Sequence, residues 1–434
     1  MRPDTQSDII MIRRLKRLAF AALVIACIAA TVVLFLPEKE AAAPATSGTD
    51  AVDALPVPMP QTDTGETPHE PDHKGALAEW NTYHGGNTLR GFAETTLPDA
   101  PVVLWTVLAG GPVRQTPVAH RGIVFAATAR GVVIAVTLEG RELWRRDLAA
   151  PEPGSDARGD IRIEAPITAV AGKVFVGADL GDVFALRADT GEVAWRVNIG
   201  GPARGAINYS DDGARVFVLD QDVGELVCLN ADTGAVAWRS AGVDRSDASP
   251  AVAGDIAVFG SCAAALHIVS TDSGERMRDI AIENGGGQIA GGAALADGFA
   301  CAGVRDGRIL CADVAAGKLA WITTVSEDEA FSTPAVHDAW VIMTTSDGRI
   351  HALNRETGEI RWQQDLEGAP ASPIIAGDKI VAAADGVLFF LRLEDGKRLW
   401  QKQVADEISG PAVARDMLIV GGEDGTITAL GADG

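Results

Sequence analysis

The sequence contains few of the residues from which metal centres and disulfide scaffolds are built. Five cysteines are spread over 434 residues, with no CxxC pair and no two cysteines adjacent. Seven histidines are scattered along the chain, and none is paired with an acidic residue at the spacing of a metal site. The sequence therefore predicts no bound metal and a fold that does not depend on a dense set of disulfide bonds.

Basic residues are scarce relative to acidic ones. The chain has 37 Lys and Arg against 59 Asp and Glu, and its formal net charge is −22. Binding to nucleic acid requires a basic patch, and no basic cluster of that kind occurs. We therefore expect no nucleic-acid partner and interpret the acidity as favouring solubility.

Local catalytic signatures are also absent. The sequence has no GxSxG element, no phosphate-binding P-loop, no GxGxxG after a predicted strand and no CxxCH haem-attachment site. Isolated aspartates lie in predicted turns, where their side chains bond to nearby backbone. We therefore assign no catalytic, cofactor-binding or metal-binding residue. A site assembled from distant segments would leave no local motif.

A long apolar run is present near the N-terminus. Residues 18–36 read LAFAALVIACIAATVVLFL, and a helix of this length spans about 28 Å, close to the apolar thickness of a bilayer. Four basic residues precede the run, at Arg13, Arg14, Lys16 and Arg17. Because positive charge favours the cytoplasmic side, we predict a cytoplasmic tail over residues 1–17, a transmembrane anchor in the inner membrane over residues 18–36 and a periplasmic remainder.

Two alternatives to the transmembrane anchor remain. The residues before and including Cys27 read VIAC, which resembles a lipobox, so the chain could instead be a lipoprotein anchored through Cys27. Nine apolar or small residues follow that cysteine, where a mature lipoprotein usually turns polar. A cleaved signal peptide is less consistent, because the apolar run continues to Leu36 without a small-residue cleavage site.

The next segment separates this anchor from the bulk of the chain. Residues 37–75 are rich in Ala, Pro, Thr and acidic residues and have little to bury, which predicts a disordered linker. Residues 76–434 form the remainder, and after residue 100 they show no helical apolar period longer than a turn or two.

This remainder is built from a repeat with a period of about 40–45 residues. A Gly-x-x-x-Trp element recurs, and tryptophan marks seven of eight equivalent positions: Trp105, Trp144, Trp195, Trp238, Trp321, Trp362 and Trp400. Arg278 occupies the eighth position. Six of the eight units also contain a proline that opens a strand, in four of them as Ser/Thr-Pro. Several units have an Asp-Gly turn typical of a tight hairpin.

Four short antiparallel strands per unit, repeated eight times, predict an all-β fold, an eight-bladed β-propeller. The last unit lacks a tryptophan strand, whereas the first carries a surplus one around Trp105. We therefore expect this early strand to complete the last blade and close the ring. An open solenoid would need polar capping repeats at its ends, and none is visible.

The Asp-Thr-Gly-x-x-x-Trp pattern at residues 189–195 and 232–238 resembles the PQQ-like (quinoprotein-type) propeller repeat family. The segment WNTYHGGN, residues 80–87, resembles the segment that precedes many such propellers. The resemblance implies that the tryptophans dock neighbouring blades. It also implies that the joint between the fourth and fifth blades, where Arg278 replaces tryptophan, is weaker.

The resemblance covers both redox enzymes and non-catalytic scaffolds. Quinoprotein dehydrogenases hold PQQ between a tryptophan and a disulfide of adjacent cysteines, which this chain lacks. Its blade number and repeat resemble BamB-type propellers of outer-membrane protein assembly, although those are lipoproteins. We therefore expect a non-catalytic, monomeric periplasmic scaffold that needs no cofactor and binds envelope or membrane proteins through its loops. A PQQ-dependent dehydrogenase or a small-ligand sensor is the alternative.

One pair of cysteines can be placed relative to the predicted hairpins. Cys301 and Cys311 flank the Asp306-Gly307 turn almost symmetrically, so they could face each other across one hairpin. In an oxidising periplasm these residues could form a disulfide, and the alternative is two buried thiols.

Overall fold

The computed structural model describes residues 79–150, 160–282, 287–289 and 291–433. The described residues form an eight-bladed β-propeller of four-stranded antiparallel blades, as predicted. None of the described elements is a helix that could span a bilayer. The predicted cytoplasmic tail, anchor and linker, together with Cys27, lie outside the described residues.

Two strands precede the first blade in the sequence. These are β1 (Phe92–Ala93) and β2 (Val102–Leu108). Blade 1 is β3 (Val118–His120), β4 (Ile123–Ala127), β5 (Val132–Thr137) and β6 (Glu142–Asp147), and blade 2 is β7 (Thr168–Val170), β8 (Lys173–Gly177), β9 (Asp182–Arg187) and β10 (Val193–Asn198). Blade 3 is β11 (Asn208–Tyr209), β12 (Arg215–Asp220), β13 (Glu225–Asn230) and β14 (Val236–Arg239), and blade 4 is β15 (Ala251–Ala253), β16 (Ile256–Gly260), β17 (Ala265–Ser270) and β18 (Arg276–Ala281).

The second half of the ring repeats this order. Blade 5 is β19 (Ala294–Ala296), β20 (Phe299–Gly303), β21 (Arg308–Asp313) and β22 (Lys318–Thr324), and blade 6 is β23 (Ala335–His337), β24 (Trp340–Thr345), β25 (Arg349–Asn354) and β26 (Ile360–Asp365). Blade 7 is β27 (Ile374–Ala376), β28 (Lys379–Ala384), β29 (Val387–Arg392) and β30 (Arg398–Gln403), and blade 8 contains β31 (Ala412–Ala414), β32 (Met417–Gly421) and β33 (Thr426–Gly431).

We name the four strands of each blade A to D from the axis outward, because the first strands of neighbouring blades contact one another. Strands B and C are buried along most of their length, whereas strand D alternates between more exposed and less exposed residues. This pattern is expected when the middle strands pack between blades and the last strand borders solvent. The A–B and C–D turns share one face, the A–B face, and the B–C turns share the opposite face with the D–A connections, the B–C face.

Ring closure follows the prediction. β2 pairs antiparallel with β33 and supplies the missing D strand of blade 8, with Trp105 opposite Ala429. The N-terminal part of the propeller and its C-terminal strand are therefore joined in one sheet. Closure leaves no exposed blade-to-blade edge at the start or end of the repeat array.

Candidate functional site

The predicted docking tryptophans lie at the joints between blades. In six joints the indole N–H donates to a main-chain carbonyl of the following blade, at 2.6–3.2 Å. A buried indole needs a partner for its N–H, and the carbonyl supplies one at the same place in each blade. These donor and acceptor pairs are Trp105 with Leu138, Trp144 with Ala188, Trp195 with Ala231, Trp238 with Thr271, Trp321 with Arg355, and Trp362 with Leu393.

Within one Gly-x-x-x-Trp element, the glycine and the tryptophan contact different neighbouring blades. A Cβ added to Gly191 would lie 2.5 Å from Trp144 of the preceding blade, and the backbone of Gly191 has a φ of +70°. Only glycine provides both the space and the positive φ at low cost. Each motif therefore receives the indole of the previous blade and presents its own indole to the next.

Arg278 takes the place of the indole at the joint between blades 4 and 5. Its guanidinium donates to the carbonyl oxygens of Val314 at 3.3 Å and Ala315 at 2.6 Å. The receiving glycine is kept, since a Cβ on Gly317 would overlap the Arg278 side chain. Unlike the indoles, this side chain is exposed to solvent.

Trp400 lies at the joint between blades 7 and 8. It packs against Phe390 with ring centroids 5.2 Å apart and against the core shared with blade 8. All seven predicted tryptophans are therefore placed between blades, and their energetic contribution stays a prediction.

The Ser/Thr-Pro pairs form a second set of contacts between blades. The hydroxyl of Ser249 accepts from the backbone N–H of Ala206 at 2.9 Å, and that of Thr333 accepts from Gly292 at 2.8 Å. The hydroxyl of Ser372 in turn accepts from the N–H of Thr333 at 2.9 Å. In each case the hydroxyl satisfies an amide at the equivalent position of the preceding blade, which the repeat alone did not indicate.

Cys301 and Cys311 are directly opposite each other in the hairpin of β20 and β21, with their Cα atoms 4.1 Å apart. The two sulfur atoms are at bonding distance, and both side chains are buried. The other described cysteines are free. Burial raises the pKa of the Cys228 thiol to about 11, which makes it unreactive at neutral pH.

Blade 4 contains a serine, a histidine and an aspartate in line. The Ser261 hydroxyl lies 2.8 Å from Nε2 of His267, and Nδ1 of His267 lies 2.7 Å from Asp279. The order matches a hydrolytic triad, but the accessibility does not: Ser261 is fully buried and the Asp279 side chain is 43% exposed. A nucleophile must be the member that a substrate can reach.

The equivalent positions of blade 6 repeat part of this arrangement. The hydroxyl of Thr345 lies 2.9 Å from Nε2 of His351, and burial lowers the pKa of His351 to about 4. In both blades the hydroxyl belongs to the end of the B strand and the imidazole to the C strand. The hydroxyl and Nε2 of each blade therefore satisfy each other near the B–C turn, which is a structural role. No group of three or more metal-ligating side chains occurs within the described ranges.

The axial channel is filled by the chain itself. Residues 79–93, which we call the lead-in, run around the axis and bond to the A strands of successive blades. Trp80 bridges Ala119 of blade 1, and β1, the end of the lead-in, pairs parallel with β27 of blade 7. The lead-in is outside the repeat, so the periodic pattern did not predict that it would lie on the propeller axis.

Large apolar side chains are exposed on the B–C face. Leu180 and Val223 are at equivalent positions in the B–C turns of blades 2 and 3, and Leu180 is 74% exposed. Phe331 in a D–A connection and Leu108 at the end of β2 are exposed on the same face. The other exposed large apolar residues of the described part lie on D strands, at the rim: Val103, Leu104, Leu143, Val236, Met277 and Leu399.

These features define a propeller of the PQQ-like class, with indole joints between four-stranded blades. The family model described as outer membrane protein assembly factor BamB matches residues 129–364 and 278–410, which together make up more than half of the chain. The chain belongs to this family.

Individual relatives are more distant. The outer membrane protein assembly factor BamB of Yersinia pestis is 25% identical, over 65% of this chain and 86% of its own length. BamB of Moranella endobia is 24% identical, over 61% and 71%. The crystal structure of BamB from Moraxella catarrhalis superimposes with a TM-score of 0.63 at 20% identity and covers 77% of this chain and 98% of its own.

Enzymes share the fold. Quinohemoprotein alcohol dehydrogenase from Comamonas testosteroni superimposes with a TM-score of 0.66 at 13% identity, covering 82% of this chain and 80% of its own. Likeness at this identity concerns the architecture and not the activity.

Proposed function

We propose that this chain is a non-catalytic scaffold of the bacterial envelope that binds polypeptide partners, in the manner that the name of its BamB relatives implies. The observation that carries the proposal is the set of apolar side chains exposed on the B–C face, including Leu180 and Val223 in neighbouring turns. Exposed apolar groups on loops held by a rigid framework are typical of protein-binding surfaces.

The filled channel supports a scaffold over a PQQ enzyme. The lead-in occupies the axis with Trp80, His84 and Leu89 fully buried, so a cofactor could reach the axis only by displacing it. The chain also has no adjacent cysteine pair of the kind that the dehydrogenases use against PQQ. A small-ligand sensor remains the second alternative, and it too would need a site away from the axis.

The proposal includes the cellular location of the protein. The apolar run at residues 18–36 with its preceding basic residues supports a single-pass inner-membrane anchor and a propeller in the periplasm. A lipid on Cys27 is the alternative, and the mass of the mature N-terminal fragment distinguishes the two. Envelope or outer-membrane assembly proteins are the expected partners, bound by a monomeric propeller.

Site-specific photo-cross-linking in cells tests the proposal. A photoreactive amino acid at Leu180 or Val223 should give a defined cross-link to an envelope protein that mass spectrometry identifies as a component of membrane-protein assembly. The same amino acid at the exposed Asp255, in an A–B turn, serves as the matched control and should give none.

Two results would argue against the scaffold. One is equal cross-linking from both faces, which would mean that the B–C face has no special role. The other is uptake of PQQ with Ca²⁺ by the purified protein, accompanied by dye reduction, which would establish the dehydrogenase alternative.

A further inference from the structure

The lead-in contacts the blades in the order in which it passes them. The backbone N–H groups at the centre of the A strands donate to its carbonyl oxygens: Ala119 to Trp80, Ala169 to Asn81, Val252 to Asn87, Leu295 to Thr88, Val336 to Arg90, and Ile375 to Gly91, at 2.7–2.9 Å. In blade 3 the side chain of Asn208 donates instead, to the Asn87 carbonyl at 2.7 Å. One short segment thus bonds to seven blades.

We propose that the axial channel is a polypeptide-binding site and that the lead-in is its resident ligand, held by its own contacts and not by its covalent connection. The ligand class is an extended segment that offers main-chain carbonyls to the inner ring of amides. Recognition of this kind combines main-chain hydrogen bonds with pockets for particular side chains. The inference does not depend on the proposed scaffold function.

Side chains of the lead-in supply the specificity. The indole of Trp80 is buried and packs against Gly85, and Leu89 is buried in the core between blades 4 and 5. The ring of His84 is buried, with Nδ1 2.8 Å from the Leu89 carbonyl and Nε2 2.9 Å from the Pro373 carbonyl. The imidazole thereby links the lead-in to itself and to blade 7.

The glycines of the lead-in are part of the fit. A Cβ on Gly91 would lie 2.3 Å from Cε1 of His84, and Gly91 has a φ of +60°. The chain turns back at Thr82 and Gly85, which bond to each other through their backbones. Within this turn, the hydroxyl of Tyr83 forms a hydrogen bond with the hydroxyl of Thr333. A polypeptide without this shape would not fill the channel.

Both ends of the lead-in are on the A–B face. Glu79 accepts from the N–H of Arg121 in the A–B turn of blade 1, and Ala93 accepts from Gly377 in the A–B turn of blade 7. Residues 94–101 then lead to β2, with Asp99 paired to the buried Lys379 at 3.0 Å. Because Asp99 and Ala100 are exposed, the chain can be cut there with the channel contacts intact. The fragment then also keeps the buried Leu97 and the Asp99–Lys379 pair, so exchange with a peptide that ends at Ala93 and the effect of Trp80→Ala report on the channel contacts themselves.

The test is a cut between Asp99 and Ala100 in the full-length protein, through an inserted recognition sequence for a specific protease. After cleavage in detergent, the N-terminal fragment should co-elute with the propeller in size-exclusion chromatography. An excess of a synthetic peptide with the sequence of residues 79–93 should exchange with it. Release of the fragment in the absence of both denaturant and competing peptide, whether or not the propeller stays folded, would overturn the proposal.

Two further proteins complete the experiment. The same recognition sequence placed after Pro60 is the matched control: the fragment that precedes it carries none of the described contacts, which start at Glu79, and should be released. In the cut protein, Trp80→Ala should accelerate dissociation of the fragment at least ~100-fold, as expected for the loss of a large buried side chain. Equal dissociation with and without Trp80 would also contradict specific binding.

Discussion

Two joints of the same ring are held by different chemistry. Between blades 3 and 4 the indole of Trp238 lies over Gly274 and donates to the Thr271 carbonyl at 3.2 Å. Between blades 4 and 5 Arg278 reaches the same kind of position over Gly317 but remains exposed. A partly buried indole contributes apolar area as well as a hydrogen bond, whereas an exposed guanidinium contributes hydrogen bonds that compete with water.

The repeat thus specifies a position at each joint but not the residue that occupies it. The receiving glycine is kept at Gly317 even though no indole enters it. The geometry of the joint therefore survives the substitution, while the stabilisation that the joint provides should not.

The largest effect is expected from removing an indole. Trp195→Ala should lower the free energy of unfolding by about 3–5 kcal/mol, because it deletes a large side chain between blades 2 and 3 and leaves the Ala231 carbonyl without its donor. Chemical denaturation followed by far-UV circular dichroism measures the change. A loss no larger than that of Arg278→Ala would contradict the difference between the two kinds of joint.

A disulfide in blade 5 would compensate for the weaker joint beside it. Cys301 and Cys311 enclose a loop with a sequence separation of 10, for which loop-closure entropy predicts a contribution of about 2.5 kcal/mol. We expect the denaturation midpoint to be lower for protein with this disulfide reduced than for the oxidised protein. When the protein is unfolded and alkylated without reductant, mass spectrometry should find only these two of the described cysteines unmodified. Alkylation of both would show that they are thiols.

The glycine that receives an indole can be tested against a matched glycine. Gly191→Ala places a Cβ 2.5 Å from Trp144 at a φ of +70° and should cost about 1–3 kcal/mol from overpacking, in addition to backbone strain. Gly172→Ala, in an A–B turn, has a φ of +73° but no atom within 4 Å of its Cβ, so only the strain remains. Equal losses in the two variants would show that contact with the indole is unimportant.

The smallest effects are expected at Arg278 itself. Arg278→Ala should cost about 1 kcal/mol, since its two hydrogen bonds are made at the surface. Arg278→Trp should instead stabilise the protein by about 1 kcal/mol, because Gly317 still provides room for an indole. Thermal unfolding of the two variants beside the parent gives the sign. Destabilisation by tryptophan would mean that blade 5 no longer accepts it.

Much of this fold could be predicted from the sequence because its units repeat. Asp-Gly turns and Gly-x-x-x-Trp elements recur at the blade period, and the surplus strand at Trp105 indicated how the ring closes. The pairing of Gly191 with Trp144 could not be read from the motif, since the two residues belong to different units. Periodicity marks equivalent positions but does not state which of them touch.

The position of the lead-in could not be predicted from the sequence for a different reason. Its segment around Trp80 and His84 occurs once, so it could be compared only with segments that precede similar propellers, and its place on the axis depends on contacts with seven blades. The in-line cluster at Ser261 and His267 is another case, because only its burial distinguishes a structural arrangement from a catalytic one. Both depend on distances between residues far apart in the chain.

Native-state hydrogen exchange followed by mass spectrometry tests most directly the claim that the joint at Arg278 is weaker than the tryptophan joints that precede it. We predict that segments at the border of blades 4 and 5 exchange faster than the corresponding segments at the Trp195 and Trp238 joints, and that Arg278→Trp removes the difference. Uniform exchange around the ring, or earlier opening at a tryptophan joint, would contradict the account.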